Sequence, residues 1–163
     1  MNALLSSPDS GFTAGRDGVP AKARDRRLRK HADYQRVYKS ARKQFSSSMS
    51  WFLAQRDAES SGPAKDDTMQ VLDAGPRVGL TVGKVLGKAH DRNRIKRRMR
   101  EVVRRHVGVL PGGVDLVLHP KHSVLTMEFA KLEAEVLRIF RQAATQFAAR
   151  EQAPGQGKTR ANA

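Results

Sequence analysis

Apolar and polar positions change their spacing several times along the chain, and each change marks an element. Tyr34, Val37, Tyr38 and Ala41 recur at helical spacing behind Asp33, a residue type suited to capping, so a short helix is expected there. Met49, Trp51 and Leu53 alternate with Ser50, Phe52 and Ala54, the pattern of a strand with two different faces. Val78, Leu80 and Val82 alternate likewise with Gly79, Thr81 and Gly83. The second face is nearly bare here, which leaves the backbone open to close approach by a ligand. From Asp91 the period returns to helical. At about 100° per residue, Ile95, Met99, Val102, Val103 and His106 gather on one side, with Asn93, Lys96, Arg97, Arg100 and Arg104 opposite. Pro111, Gly112 and Gly113 stop this helix, and Val114, Leu116 and Leu118 alternate into a strand ending near Pro120. A long helix from near Thr126 buries Phe129, Leu132, Val136, Ile139, Phe140, Ala143 and Phe147 as one stripe.

The remaining stretches lack either period. Residues 1–24 read as a disordered basic and polar arm, and residues 149–163 as a disordered tail. Asp57 to Gly75 holds five acidic residues and one lysine around Ser60, Ser61, Gly62 and Pro63, an acidic surface insertion with Met69 to Leu72 as a candidate short strand. One domain over residues 25–148 is therefore expected. Its order of helix, strands, helix, strand and helix gives an α+β layered architecture. Helices should cover one sheet face and leave the other for a partner.

Composition narrows the partner. The 163 residues carry 31 Lys plus Arg against 16 Asp plus Glu, a formal charge of +15, which points to a polyanion and first to nucleic acid. Cysteine is absent, which excludes disulfides, thiolate metal sites and cysteine nucleophiles. No apolar run approaches the ~18 residues of a membrane span, and the N-terminus has no apolar stretch of the secretory kind, so a cytoplasmic location is expected.

The charge is concentrated. Residues 22–43 and residues 84–106 each hold ten Lys or Arg against two acidic residues, and the fold decides whether they form one surface or two. In the second block, an all-basic stripe on a helix with an apolar back repels itself at i,i+3 and i,i+4, a cost that phosphates would relieve. A solvated face is the bland alternative. Arginine forks match phosphate oxygens bidentately, and Asn93 both donates and accepts, which suits a folded nucleic-acid backbone. Arg104 lies on the stripe, and Lys84 and Lys88 precede it.

The run GLTVGKVLGKAHDRNRIKRRMREVVR, residues 79–104, resembles the signature of the bacterial ribonuclease P protein component, with Arg92, Asn93 and Arg94 matching its RNR motif. LRKHADYQRVYK, residues 28–39, resembles that family's first helix, and VDLVLHPK its last strand. The resemblance implies a two-layer α/β sandwich of order α-β-β-β-α-β-α with a left-handed βαβ crossover, the ribosomal protein S5 domain 2-like topology. It implies a protein that binds a large catalytic RNA and helps it remove the 5′ leader of precursor tRNA, with hydrolysis performed by Mg²⁺ ions held by the RNA. The positions matching the family's RNA-contacting motif are Arg92, Asn93, Arg94, Lys96, Arg97 and Arg100; Arg92 and Arg94 fall off the polar stripe of an ideal helix, and Arg92, nearer the apolar side, is expected at the frayed N-terminal end, reaching round. Those matching its leader cleft are Tyr34, Tyr38, Phe52 and Thr81. An aromatic platform over a small-residue floor suits single-stranded RNA, whereas tyrosines on an amphipathic helix also serve as core anchors. Val85 and His119 depart from the family pattern, standing where many members carry Lys and Arg.

No catalytic or metal-ligating constellation emerges: the five histidines are scattered, and no Gly-rich phosphate loop followed by Lys and Ser or Thr occurs. A ribosomal type of RNA-binding protein would explain the charge equally well. A protein-only nuclease would need an essential carboxylate or histidine, for which Glu101, Asp115 and the histidines are the candidates.

Overall fold

The computed structural model of the chain describes residues 26–56 and 75–152. Its elements run α1 (His31–Ser40), β1 (Lys43–Phe45), β2 (Met49–Gln55), β3 (Arg77–Leu80), α2 (Ala89–His106), β4 (Val114–Pro120) and α3 (Phe129–Gln152). Single 3₁₀ turns at Lys84–Leu86, Val107–Val109 and His122–Leu125 join them. The order is the expected one for an α+β domain, but β1 is a strand that alternation does not mark. Its three residues are recruited by β2, Lys43 pairing with Phe52, Gln44 with Trp51 and Phe45 with Ser50. The candidate strand Met69 to Leu72 lies outside the described residues, as do the arm over 1–24, residues 57–74 of the acidic insertion and 153–163 of the tail. Residues 149–152, expected to belong to the tail, are helical instead. α3 continues to Gln152, because Ala149, Arg150, Glu151 and Gln152 all favour helix.

The strands form one sheet in the order β1-β2-β4-β3. β2 runs antiparallel to β4, with Trp51 opposite Leu118 and Leu53 opposite Leu116. β3 lies beside β4 and parallel to it, so β3-α2-β4 is a βαβ unit. The outer edge of β3 is occupied by the chain before α1: Leu28 donates to the Val78 carbonyl at 3.2 Å, and the Val78 amide donates to Arg26 at 2.8 Å.

Alternation assigns the two faces. Met49, Trp51 and Leu53 of β2 and Val114, Leu116 and Leu118 of β4 pack beneath α2 and α3 with Ile95, Met99, Val102, Leu132, Val136, Ile139 and Phe140. These side chains are almost wholly buried, and truncating one of the larger ones to alanine costs about 3–5 kcal/mol. The face expected to stay open is partly roofed by α1. Val37 is buried with Leu28, Ala54 and Val117, with Tyr34, Tyr38 and Phe52 packed against them. The reason is that Phe52, Ala54 and Val117 give the second face its own apolar patch. α1 also begins earlier than its sequence suggests: Lys30, not Asp33, is at the N-cap, because the Asp33 carboxylate is taken by Arg77 at 3.4 Å and Arg36 at 3.8 Å.

Candidate nucleic-acid interface

α2 sorts its charges into two sets. Ile95, Met99 and Val102 are buried and Val103 is half-buried, so the apolar side lies where the periodicity places it. On the other side, Asn93, Arg94, Arg97 and Arg100 are exposed and Lys96 half-exposed; none makes a hydrogen bond or ion pair within the described residues. The second set is engaged internally. Arg98 donates to the carbonyls of Val124 at 2.8 Å, Leu125 at 2.7 Å and Met127, which ties α2 to the turn before α3. Arg104 and Arg105 both hold Glu101, at 2.8 and 2.9 Å, and these hydrogen bonds keep its carboxyl below the usual range. Arg104, placed on the binding stripe by its angle, is thus committed to a carboxylate one turn away. Arg105 and His106 reach Glu133 on α3 at 3.3 and 2.8 Å.

The approach to α2 concentrates further positive charge at its N-terminus, where the helix dipole already favours anions. Lys84 opens the 3₁₀ turn and Lys88 is the N-cap residue; both are exposed. Gly87 between them has φ +115°, and a Cβ there would lie 3.2 Å from Asp91, so glycine is required for this turn. Val85 is 98% exposed at the same turn, which leaves Lys84 and Lys88 as its cations. Arg92 is not at a frayed end. The helix starts at Ala89, the Arg92 amide donates to Lys88 at 3.1 Å, and its half-buried side chain keeps Nε without a hydrogen-bond partner among the described residues.

The cleft residues converge on the other sheet face. The Tyr38 hydroxyl lies 3.0 Å from both Thr81 Oγ1 and His119 Nε2, and its ring meets Phe52 edge-on at 5.0 Å. His119 lies 5.4 Å from Phe52 and 5.6 Å from Tyr38, which makes it a third wall of the cluster. Sequence reading left it out, although Asp115, Val117 and His119 share one face of β4 by alternation. Burial, and secondarily the nearby Lys43 charge, holds the His119 imidazole below the ordinary histidine value. Tyr34 stands at the other end, 6.4 Å from Tyr38, with its hydroxyl donating to Leu28 at 3.2 Å. It lies against Gly79, so the bare strand face expected to admit a ligand admits this ring instead. Tyr34 therefore anchors α1, while Tyr38, Phe52, Thr81 and His119 form a half-buried cluster beside it.

Two buried carboxylates fix this geometry. Asp115 is fully buried and receives Arg77 bidentately at 2.8 and 2.7 Å, together with Arg36 from α1. Glu135 on α3 accepts hydrogen bonds from the Ser48 amide at 2.8 Å and from the hydroxyls of Ser46 and Ser48, which pins the β1–β2 hairpin. Burial alone would raise the Glu135 carboxyl; these hydrogen bonds outweigh it and hold the group low.

The aromatic cluster and the basic helix meet at the C-terminal end of β3. Thr81 belongs to the first, and Lys84 opens the second three residues later. The helices that carry much of the two basic blocks, α1 and α2, nonetheless lie on opposite faces of the sheet, with Arg36 of the first spent on Asp115. Among the described residues, no three His, Asp or Glu side chains form a metal-holding group, and no helix is long and apolar enough to cross a membrane.

Comparison with known proteins places this arrangement. The ribonuclease P family model matches residues 23–144. The ribonuclease P protein component of Chloroflexus aggregans is 34% identical over 121 residues, 74% of this chain and 78% of that protein. That of Finegoldia magna is 39% identical over 69 residues, a match spanning 61% of its length and 42% of this chain. Among solved structures, the ribonuclease P protein of Thermotoga maritima superimposes with a TM-score of 0.55 at 24% identity, over 71% of this chain and 96% of that one. The Staphylococcus aureus protein does so with a TM-score of 0.51 at 22% identity, over 76% and 94%.

Proposed function

The chain belongs to the ribonuclease P protein family, and from that premise we propose that it is the protein subunit of a ribonuclease P ribonucleoprotein, binding the catalytic RNA and the 5′ leader of precursor tRNA. The observation that carries the reading is the division of charge on α2. Asn93, Arg94, Lys96, Arg97 and Arg100 face solvent uncommitted, while Arg98, Arg104 and Arg105 are spent on the protein itself. Glu101 is already taken by Arg104 and Arg105, so it does not offset the repulsion among Arg94, Lys96, Arg97 and Arg100. Phosphates of a folded RNA would relieve their mutual repulsion.

On this reading the RNA subunit packs along α2 and the turn at Lys84 to Lys88, and the single-stranded leader leaves through the Tyr38, Phe52 and His119 cluster. Aromatic faces hold unpaired bases without reading their sequence, as a subunit serving many precursors requires. The cleavage chemistry rests with magnesium ions held by the RNA. The protein contributes charge, position and a floor for the leader, and no step is assigned to a protein-bound ion. The two candidate carboxylates of a protein-only nuclease are both engaged, Asp115 with two arginines and Glu101 with two others.

Reconstitution tests the proposal. Purified protein alone should leave precursor tRNA intact, and added to the cognate RNA it should allow 5′ cleavage at magnesium concentrations too low for the RNA alone. Identical activity with and without protein at every magnesium concentration would overturn it.

A further inference from the structure

β1 places on the cleft face of the sheet an aromatic side chain that the cluster above does not use. Phe45 is 71% exposed, the Lys43 ammonium lies 5.3 Å above its ring centre, and both share the face that carries Phe52 and His119. The register shows how they connect. Phe45 lies opposite Ser50 and Ser50 opposite His119, while Lys43 lies opposite Phe52. Phe45 is therefore a diagonal neighbour of Phe52, a relation of about 7–8 Å that aromatic side chains can bridge. Ser50, small and buried, raises no wall between Phe45 and His119.

Single exposed apolar residues are ordinary on protein surfaces, and edge strands are usually guarded by charge. Phe45 differs because the register sets it diagonally next to Phe52, whose ring already meets Tyr38, so an aromatic side chain stands at the next position outward on the same face. Lys43, exposed and above the Phe45 ring, gives this position the charge that a phosphate needs. The Lys43–Phe45 pair is itself a cation-π contact that an incoming base can share.

We propose that Phe45 and Lys43 form a further stacking station, taking one unpaired nucleotide of the 5′ leader beyond those held by Tyr38, Phe52 and His119. The station rests on the leader-binding reading above and extends it by a residue pair outside the cleft. It predicts that this protein grips a longer stretch of leader than the cleft alone could hold. Lys43 supplies the phosphate contact and Phe45 the face.

The test uses the full chain assembled with its cognate catalytic RNA, and precursor tRNAs whose leaders lengthen one nucleotide at a time. Affinity of the wild-type assembly should rise with leader length in steps. Phe45→Ala should lose only the outermost step, about fivefold, and match wild type on shorter leaders. Phe45→Trp should restore the step, and unchanged circular dichroism should show that this exposed position does not alter the fold. If wild-type affinity rises with leader length while Phe45→Ala matches it at every length, the station is overturned and the cleft reading stands. If wild-type affinity ignores the leader entirely, both fall. Self-association of the wild type that Phe45→Ala abolishes, with leader affinities equal, would assign the patch to a second copy of the chain and overturn the station.

Discussion

A Cβ on Gly79 would lie 2.7 Å from the Tyr34 hydroxyl oxygen and 2.8 Å from two carbons of its ring, so the tyrosine fills the space that the strand leaves bare. This close approach sets the height of α1 above the sheet, and with it the opening through which Tyr38 and Phe52 are reached. Gly79→Ala should displace the ring and cost about 1–3 kcal/mol in urea denaturation. The same change in a Tyr34→Ala background should cost much less. Equal costs in the two backgrounds would place the clash elsewhere.

Asp115 holds α1 from below. Its buried carboxylate neutralises Arg77 from β3 and Arg36 from α1, two partly buried guanidinium groups that also lie near Asp33. Asp115→Asn should therefore destabilise the fold by about 3 kcal/mol, the usual result of removing one partner from a buried charge network. A loss below about 1 kcal/mol would mean that α1 is held chiefly by Val37 and Tyr34.

Much of this was legible in the sequence. The two-sided α2, the alternation of β2 and β4 and the α3 stripe all follow from local periodicity, and most of the stripe residues are buried, with Phe129 only half so; Leu28, Val107, Leu110 and Val124 join the core from segments without a period. What was not legible depended on pairing at a distance. β1 exists because β2 offers it a partner, and Lys-Gln-Phe has no signal of its own. Gly79 and Thr81 looked like an open floor until Tyr34 and Tyr38, more than forty residues earlier, settled on them. Within the basic stripe, angle alone could not separate Arg97, left free, from Arg104, claimed by Glu101, since both point away from the core.

Two groups, half-buried His119 and buried Glu135, should shape the pH profile in separate windows. His119 is held below the ordinary histidine value of about 6.5 chiefly by burial, so the folded protein binds its proton less readily than the unfolded chain. Its contribution is intact above that value and is lost as pH falls from there toward the lower folded value. Glu135 is also held low, by hydrogen bonds that outweigh its burial, and its contribution is lost only in the acid range below the ordinary carboxylate value. Stability measured from pH 8 to pH 3 should thus fall in two stages. His119→Gln should flatten the upper stage and Glu135→Gln the lower. An unchanged upper stage in the His119 variant would show that this imidazole titrates normally.

The division of charge on α2 predicts that three neighbouring substitutions act in three different ways. Arg97→Ala removes an uncommitted exposed cation, so it should weaken RNA binding, reduce the salt dependence of log K by about one unit and leave the melting temperature unchanged. Arg98→Ala removes the donor to three carbonyls before α3, so it should lower stability, with RNA affinity falling only as the fold is lost. Glu101→Gln releases Arg104 from its ion pair and leaves Arg105 to Glu133 and the Phe129 ring, so it should tighten RNA binding and steepen the salt dependence. Filter binding across a salt series separates the three. If Glu101→Gln instead weakened binding, the Glu101-bound arginines would belong to the RNA-facing set in their paired geometry, and the line between free and spent cations would have to be redrawn.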